Sequence, residues 1–201
     1  MKYKVVLFDY DGVCFTGTQF SDQLHREYGT EFEAMQPFFS GPFKQCTLGN
    51  GDLKDILPTV IEAWKWPGTA DELMAYWFKD DVIEAPILAC IEQLRAQGVR
   101  CFMATNQEKY RAASLREKFG HGKVFEEIFA SSEIGHIKND PVFWDAVYAK
   151  IAALADNDKS KVLFLDDAED NVITARAFGF DAIHYKGPED LKGLDLSAEN
   201  A

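Results

Sequence analysis

The sequence predicts an α/β fold, a doubly wound and mostly parallel sheet with a small helical domain inserted after its first strand. Several short apolar runs are continuous rather than alternating, which is typical of strands buried on both faces of a sheet. Helical patterns lie between the later runs, and this alternation favours parallel strands with helices on both faces. Roughly 75 residues with helical patterns follow the first run, far more than an ordinary crossover connection needs.

Five strands and three helices of the core follow from these runs and from signals at helix ends. Pro86 lies near the start of the first helix and Gly98 just past its end, which is the usual asymmetry. Asp140 and Pro141 are typical of a helix start, and Gly179 is typical of a C-terminal cap. The predicted strands are 4–8, 99–104, 126–130, 161–165 and 181–185, and the predicted helices are 84–98, 139–154 and 168–179.

Helical patterns also fill the long interval after the first strand. Thr69 and Glu72 have the spacing of a capping box, and Pro58 interrupts or kinks a second helical stretch at 50–64. We therefore predict a helical cap inserted into the α/β core, followed at the end of the chain by a loosely held tail. The predicted boundaries are 16–85 for the cap, 1–15 and 86–201 for the core, and 191–201 for the tail.

The composition limits the classes of function. The chain has 201 residues, and its net charge of −12 argues against nucleic acids and anionic membranes as partners. Its four cysteines show no metal-binding spacing, so we expect buried, reduced thiols. The first apolar run is too short for a signal peptide or a membrane span, so a cytoplasmic protein is expected. The sequence leaves a monomer and a homodimer open.

Polar side chains gather where the predicted strands end. Ligands of such sheets bind outside the carboxyl ends of the strands, so these side chains are expected to meet at one edge. Taken singly, each has a simpler explanation as a turn, a helix cap or a solvated lysine, but their conjunction indicates a site. They are Asp9 and Asp11, Thr105 and Asn106, Lys138, and Asp166 and Asp167.

Several carboxylates at one point repel each other, and one of them would be neutralised unless a cation were present. The oxygen ligands and the absence of cysteine and histidine favour Mg²⁺ over zinc. Magnesium is commonly shared between carboxylates and phosphate oxygens, and Thr105, Asn106 and backbone N–H groups can donate to such oxygens. The expected partner is a small phosphorylated metabolite, with Lys138 adding positive charge.

With these motifs the chain resembles the haloacid dehalogenase-like (HAD) hydrolase superfamily, over residues 4–186. The motifs are "DYDGV" at 9–13, "TN" at 105–106, Lys138, and "DDAEDN" at 166–171. The resemblance implies a Rossmann-like core, and the insert is similar to the helical cap of the first subfamily. The segment "TLGNGDL" is similar to a cap segment of its sugar-phosphate phosphatases.

The resemblance also implies a role for each residue. Asp9 would be the nucleophile that forms an aspartyl-phosphate, and Asp11 the general acid and base. Thr105 and Asn106 would hold the phosphoryl group, with Lys138 balancing its charge. The proline of the third motif comes three positions after the lysine, in "KNDP", rather than next to it.

The metal ligands follow from the same resemblance. Asp9 and the backbone carbonyl of Asp11 would bind Mg²⁺ together with Asp167. Asp166 would support them, and a direct bond from it to the metal is left open.

The predicted function is a Mg²⁺-dependent phosphatase that acts on a sugar-phosphate-like phosphomonoester. Dehalogenases of the superfamily lack the second aspartate, so Asp11 favours phosphate chemistry. A phosphomutase, a dehalogenase and a non-catalytic phosphate-binding regulatory protein remain the alternatives.

The substrate-contacting residues of the cap are harder to assign. We predict that Phe15 and Thr16 face the leaving group and that Phe43 and Lys44 form part of a wall, although a small core is the simpler explanation of the cap's aromatic residues. Arg111 is expected to be a surface arginine of a helix, with a place near the phosphate as the alternative.

Overall fold

Within residues 2–193, the part of the chain that the computed structural model describes, five parallel strands form one sheet in the order β3-β2-β1-β4-β5. The predicted α/β fold is confirmed, and β3 is shorter than the apolar run that predicted it. The predicted tail lies outside the described residues from 194 onward. The strands are β1 (Val5–Phe8), β2 (Arg100–Thr105), β3 (Ile128–Ala130), β4 (Val162–Asp166) and β5 (Asp181–His184).

The first strand lies at the centre of the sheet. It pairs with β2 on one side and β4 on the other, with Val5 opposite both Arg100 and Val162. Successive side chains of a strand point to opposite faces, and every residue of β1 is fully buried. This burial on both faces explains why the strand's sequence is a continuous apolar run.

Helices cover both faces of the sheet. Helices α6 and α7 contribute to the apolar cluster on the face of Val6 and Phe8, whereas α9 and α10 contribute to the cluster of Val5 and Leu7. The core helices are α6 (Ala85–Ala96), α7 (Lys109–Phe119), α8 (Ser131–Ile134), α9 (Pro141–Ile151) and α10 (Glu169–Phe178).

Helices α1 to α5 lie between β1 and α6 and form what we call the helical insert. Thr69 and Glu72 form the predicted capping box at the start of α5. The predicted helix at 50–64 is instead a short α4 followed by a 3₁₀ turn that contains Pro58. The bounds are α1 (Phe20–Tyr28), α2 (Phe32–Ser40), α3 (Pro42–Thr47), α4 (Leu53–Ile56) and α5 (Ala70–Phe78).

The helical insert has a hydrophobic cluster of its own. Trp64 is fully buried in it, together with Leu24, Leu53 and Leu73. A separate cluster is what an independent cap would need, because each domain buries its own apolar surface. The division at residues 16–85 stays a prediction.

A few polar contacts connect the helical insert to the core. Ser131 Oγ donates a hydrogen bond of 2.7 Å to the backbone oxygen of Thr47. Asp52 accepts from Lys109 at 2.5 Å and from the hydroxyl of Tyr110 at 3.1 Å. These contacts hold the insert over the carboxyl ends of the strands.

The remaining expectations concern the cysteines, membrane-spanning helices, the cellular location and the binding partners. The cysteines at 14, 46, 90 and 101 are free and buried, as expected. None of the helices formed by residues 2–193 has the length and hydropathy needed to cross a membrane. The cytoplasmic location, the lack of a nucleic-acid partner and the choice between monomer and homodimer stay predictions.

Candidate active site

Six of the seven polar residues predicted from the strand ends line one cavity of about 280 Å³; the seventh, Asp166, is fully buried and is not part of its lining. The cavity opens at the carboxyl edge of the sheet, where the segments that follow β1, β2 and β4 meet. This edge is the expected ligand position in a sheet of this kind. The lining residues are Asp9, Asp11, Gly12, Gln19, Thr105, Asn106, Lys138, Asp167 and Asn171.

Lys138 lies at the buried base of this cavity between two carboxylates. Its Nζ is 2.5 Å from Asp9 Oδ1 and 2.7 Å from Asp166 Oδ2. With 1% of its surface exposed, it is not the solvated lysine that its sequence context alone would suggest. Its backbone N–H donates to Asn106 Oδ1 and its carbonyl accepts from Trp144 Nε1, so the "KNDP" segment is held in place despite its unusual proline spacing.

Burial and mutual charge interactions shift the pKa values of Asp9 and Lys138. Burial raises the pKa of Asp9, Lys138 opposes that shift, and the neighbouring Asp166 and Asp11 add to it. Burial by itself would lower the pKa of Lys138, but Asp9 and Asp166 together hold it above its ordinary value. One lysine therefore neutralises only one of the two buried carboxylates, so a further cation at this site would be electrostatically favourable.

The same carboxylates fit a divalent cation. Asp9, Asp166 and Asp167 each place one oxygen within 4.8 Å of the others. With Lys138 these groups carry a formal charge of −2, and hard oxygen donors of this kind suit Mg²⁺. The donor set therefore matches the metal that the sequence predicts.

The two consecutive aspartates differ in their surroundings. Asp166 is fully buried, and it accepts hydrogen bonds from Ala168 N and Asn171 Nδ2 as well as the ion pair with Lys138. Asp167 is exposed and lines the cavity, and burial of part of its carboxyl, with Asp166 nearby, raises its pKa. This is the arrangement that a supporting residue and a direct metal ligand would need.

Thr105 offers an unused donor. It ends β2, and its Oγ1 is buried without a hydrogen-bond partner among the described residues. An unpaired buried hydroxyl is costly, and such groups are usually satisfied in the functional state. Because Thr105 and Asn106 both line the cavity, an anion bound there can accept this hydrogen bond.

Gly12 leaves room for Asp167. Its φ is +83°, and a Cβ on it would lie 2.2 Å from Asp167 Cγ. We expect Gly12→Ala to displace that carboxylate and to lower kcat/KM about 10- to 100-fold, in line with losses at perturbed metal sites. Kinetics at saturating and limiting Mg²⁺ would measure this loss. Gly98→Ala also has a positive φ but open space around its Cβ, so it should keep wild-type activity; an active Gly12→Ala would contradict the close packing.

Asp11 lies at the junction of two cavities. It lines the 280 Å³ cavity and also an adjoining one of about 260 Å³ under the helical insert. Its carboxylate accepts from Arg111 at 3.0 and 3.1 Å and from Gln107 Nε2 at 2.5 Å. The expectation that Arg111 is a surface residue is wrong, because only 8% of it is exposed.

Sequence reasoning missed Gln107 and Asn171 as well as the role of Arg111. Gln107 follows Asn106 directly, and Asn171 is the last residue of the "DDAEDN" motif, so proximity to the predicted motifs was the signal that could have identified both. Arg111 carried no signal of its own, because its partner Asp11 is distant in the sequence.

The residues predicted to contact the leaving group are placed differently from one another. Phe43 lines the 260 Å³ cavity. Phe15 is buried with its ring stacked on Tyr10, because the chain turns back after Gly12, and Thr16 donates its hydroxyl to Glu84 at 3.0 Å.

Lys44 is exposed and is absent from the lining of both cavities. Neither Lys44 nor Thr16 therefore forms a wall of these cavities in this structure, since one points to solvent and the other is held by Glu84. Their roles stay predictions without a cavity contact.

A family model described as haloacid dehalogenase-like hydrolase matches residues 3–179. The chain is a haloacid dehalogenase-like hydrolase. This confirms the predicted superfamily and the predicted hydrolase class. A curated relative of this HAD-like hydrolase is the sesquiterpene phosphatase astK of Aspergillus oryzae, 33% identical over 188 residues that cover 90% of this chain and 89% of the relative.

Solved structures share the fold of this HAD-like hydrolase. A HAD family enzyme from Bacteroides thetaiotaomicron has a TM-score of 0.73 at 19% identity and covers 92% of this chain and 95% of its own. The same enzyme in complex with magnesium and inorganic phosphate has a TM-score of 0.72 at 19% identity, over 92% and 94% of the two chains. The L-2-haloacid dehalogenase of Xanthobacter autotrophicus has a TM-score of 0.64 at 17% identity, over 90% and 76%.

Proposed function

We propose that this HAD-like hydrolase is a Mg²⁺-dependent phosphatase that hydrolyses small phosphomonoesters through an aspartyl-phosphate on Asp9. The observation that carries the proposal is the cavity in which Asp9, Asp11 and Asp167 face the unpaired hydroxyl of Thr105. The phosphatase relative and the phosphate complex of a structural neighbour support the same reaction class.

The chain's own residues divide the work of the first step. A carboxylate oxygen of Asp9 attacks phosphorus, the bond from phosphorus to the leaving oxygen breaks, and a protonated Asp11 gives its proton to that oxygen. Because Arg111 pairs with the ionised form of Asp11, this proton must be taken up from solvent before the first turnover. Thr105 and Asn106 donate to the phosphoryl oxygens, and Lys138 offsets their charge. Mg²⁺ held by Asp9, Asp167 and the carbonyl of Asp11, with Asp166 in support, would supply the remaining positive charge.

The second step releases phosphate. Asp11, now deprotonated, takes a proton from a water molecule that attacks phosphorus, and the bond to Asp9 breaks. Inorganic phosphate leaves, Asp9 is again a free carboxylate, and Asp11 again carries its proton. Water is the only co-reactant.

Asp11 distinguishes this proposal from its alternatives. A halide needs no proton when it leaves, so a dehalogenase would have no use for an acid beside the nucleophile. A purely regulatory phosphate-binding protein would likewise need neither Asp9 as a nucleophile nor Asp11 as an acid. A phosphomutase uses the same groups and differs in keeping water out.

The cavity beyond Asp11 suggests the class of leaving group. On the side of the helical insert, its walls include the aromatic rings of Phe20, Phe39, Phe43 and Trp77. Two of its polar groups, Gln107 and Arg111, already donate to Asp11, which leaves Gln19, Ser21 and Asn106 as the further polar groups of its lining. Aromatic walls bury apolar surface, so we propose an alkyl or prenyl-like leaving group in place of the predicted sugar phosphate. The sesquiterpene phosphatase relative agrees with this choice.

The experiment compares n-octyl phosphate, p-nitrophenyl phosphate and glucose 6-phosphate as substrates with Mg²⁺ and with excess EDTA. We expect release of inorganic phosphate with Mg²⁺, its loss in EDTA, and its recovery on adding Mg²⁺ back. The Mg²⁺ requirement should rise as the pH falls below about 7, because burial raises the pKa of Asp9 to about 7 and protons then compete with the metal.

The outcomes separate the parts of this proposal. Turnover that is indifferent to EDTA, or none on any phosphate ester, would contradict the phosphatase. A higher kcat/KM for glucose 6-phosphate than for octyl phosphate would restore the sugar-phosphate prediction. A Phe43→Ala variant should lose preference for octyl phosphate, with Lys44→Ala as the matched neighbour outside the cavity.

A further inference from the structure

A buried arginine joins the carboxylate beside the nucleophile to the segment that leads out of the helical insert. Arg111 lies in the first turn of α7, and its guanidinium is shared between Asp11 and Asp81. We propose that Arg111 is a positioning residue that holds Asp11 at the boundary between the phosphate cavity and the leaving-group cavity. The inference rests on the proposed phosphatase function.

Arg111 makes a bidentate contact with the carboxylate of Asp11. Arg111 Nη2 donates to Asp11 Oδ1 at 3.0 Å, and Nη1 donates to Oδ2 at 3.1 Å. A paired contact of this kind fixes the plane of the carboxylate as well as its position, which a lysine cannot do. Because Asp11 is itself about one-third exposed, at 34%, packing alone does not fix its rotamer.

Asp81 holds the other side of the guanidinium. Its Oδ1 accepts from Arg111 Nη2 at 3.0 Å and from the hydroxyl of Tyr10 at 3.1 Å, and its side chain is 2% exposed. Tyr10 is fully buried, stands between Asp9 and Asp11 in the chain, and lies under the guanidinium at 5.1 Å. The contacts therefore form a closed ring from Tyr10 through Asp81 and Arg111 to Asp11.

The place of Asp81 ties this ring to the helical insert. Asp81 lies between the end of α5 at Phe78 and the start of α6 at Ala85, in one of the two chain segments that join insert and core. The hydroxyl oxygen of Tyr10 also lies 3.2 Å from the backbone oxygen of Val82 in the same segment. The position of Asp11 is therefore set by this connection through Arg111, together with Gln107 from the loop after β2.

This geometry predicts a specific kinetic effect. A general acid must lie within about 2.6–3.2 Å of the oxygen it protonates, and misplacing it slows poor leaving groups far more than good ones. p-Nitrophenolate leaves without help, whereas an alkoxide needs the proton. A variant that only lowered the fraction of folded protein would slow both substrates alike. A change in the leaving-group cavity, which Arg111 lines, would instead raise KM for octyl phosphate at unchanged kcat.

The test is Arg111→Lys, which keeps the positive charge between Asp11 and Asp81 and removes the bidentate contact with Asp11. We expect kcat/KM for n-octyl phosphate to fall about 30-fold or more, and kcat/KM for p-nitrophenyl phosphate to change less than about threefold. The inhibition constant of inorganic phosphate should stay at its wild-type value. Arg116→Lys on the same helix, where the native arginine pairs with Glu133, is the matched control and should leave kcat/KM unchanged for both substrates.

Three results would overturn the inference. They are equal losses on both substrates, no loss on either, and a raised inhibition constant for phosphate, which would make Arg111 a phosphate ligand. Asp81→Asn provides a second variant. It should also lower kcat/KM for n-octyl phosphate relative to kcat/KM for p-nitrophenyl phosphate, by a smaller factor than Arg111→Lys. Absence of turnover in the wild-type protein would instead contradict the proposed function, so the two failures are distinguishable.

Discussion

Asp9→Asn is expected to abolish turnover while leaving the metal-free protein at least as stable as the wild type. The variant loses the attacking oxygen, and kcat should fall by more than about three orders of magnitude, as for other nucleophile losses. Stability should hold because Lys138 then faces only Asp166, and the repulsion between Asp9 and Asp166 is removed. Phosphate release and thermal unfolding in EDTA measure the two effects.

Addition of Mg²⁺ makes this test sharper. A ligand that binds only the folded state raises its unfolding temperature, so wild-type protein should be stabilised by Mg²⁺ and Asp9→Asn much less. The control is Asp145→Asn, an exposed aspartate on α9, which should match the wild type in activity and in its response to Mg²⁺. Retention of turnover by Asp9→Asn would refute the assigned nucleophile.

Lys138→Met should have the second large effect, on stability as well as on activity. The substitution leaves Asp9 and Asp166 buried without their shared cation, and removing one partner from a buried ion pair costs about 3–5 kcal/mol. The loss of its charge beside the nucleophile should also stop turnover. Urea unfolding followed by circular dichroism would measure the free energy of unfolding.

The pH dependence of this loss has a definite sign. The folded-state pKa of Asp9 is already raised by burial with Lys138 present, and it rises further without the lysine. A carboxyl whose folded pKa is raised costs stability as the pH climbs from its unfolded value of about 4 towards that folded pKa. Lys138→Met should therefore be closer to the wild type at pH 5 than at pH 8.

Lys150→Met is the matched control for this comparison. Lys150 is exposed near the end of α9, so its replacement should change stability little at either pH. A destabilisation of Lys138→Met that is equal at pH 5 and pH 8 would mean that lost packing, and not unpaired charge, is the cause.

The sheet and most of the candidate site could be predicted because their signals are local. Strands buried on both faces leave continuous apolar runs, and residues such as Asp9 and Thr105 follow those runs directly. Lys138 comes eight residues after β3 and was predicted from its place before the helix that starts at Pro141, although its proline spacing differs from the usual motif.

What escaped prediction depends on contacts between distant segments. A helix was expected around Arg111, but the bounds of α7 were not predicted because its apolar residues do not recur in a clear stripe, and the burial of Arg111 was missed. The partner Asp81 lies in a connection with no regular pattern. The contact of Thr16 with Glu84 was not predicted, because the sequence does not specify in detail the turn after Gly12 that sends the chain towards Glu84.

The central position of β1 bears on how the protein is made. Of the five strands of the sheet, β1 is translated first, and its neighbours β2 and β4 are translated much later. Until both arrive, the apolar run at Val5–Phe8 has two unpaired edges, which is the kind of segment that aggregates or recruits chaperones. The nucleophile next to it can therefore acquire Lys138, Asp166 and Asp167 only after β4 has been translated, so a nascent chain that stops before β4 lacks the complete site.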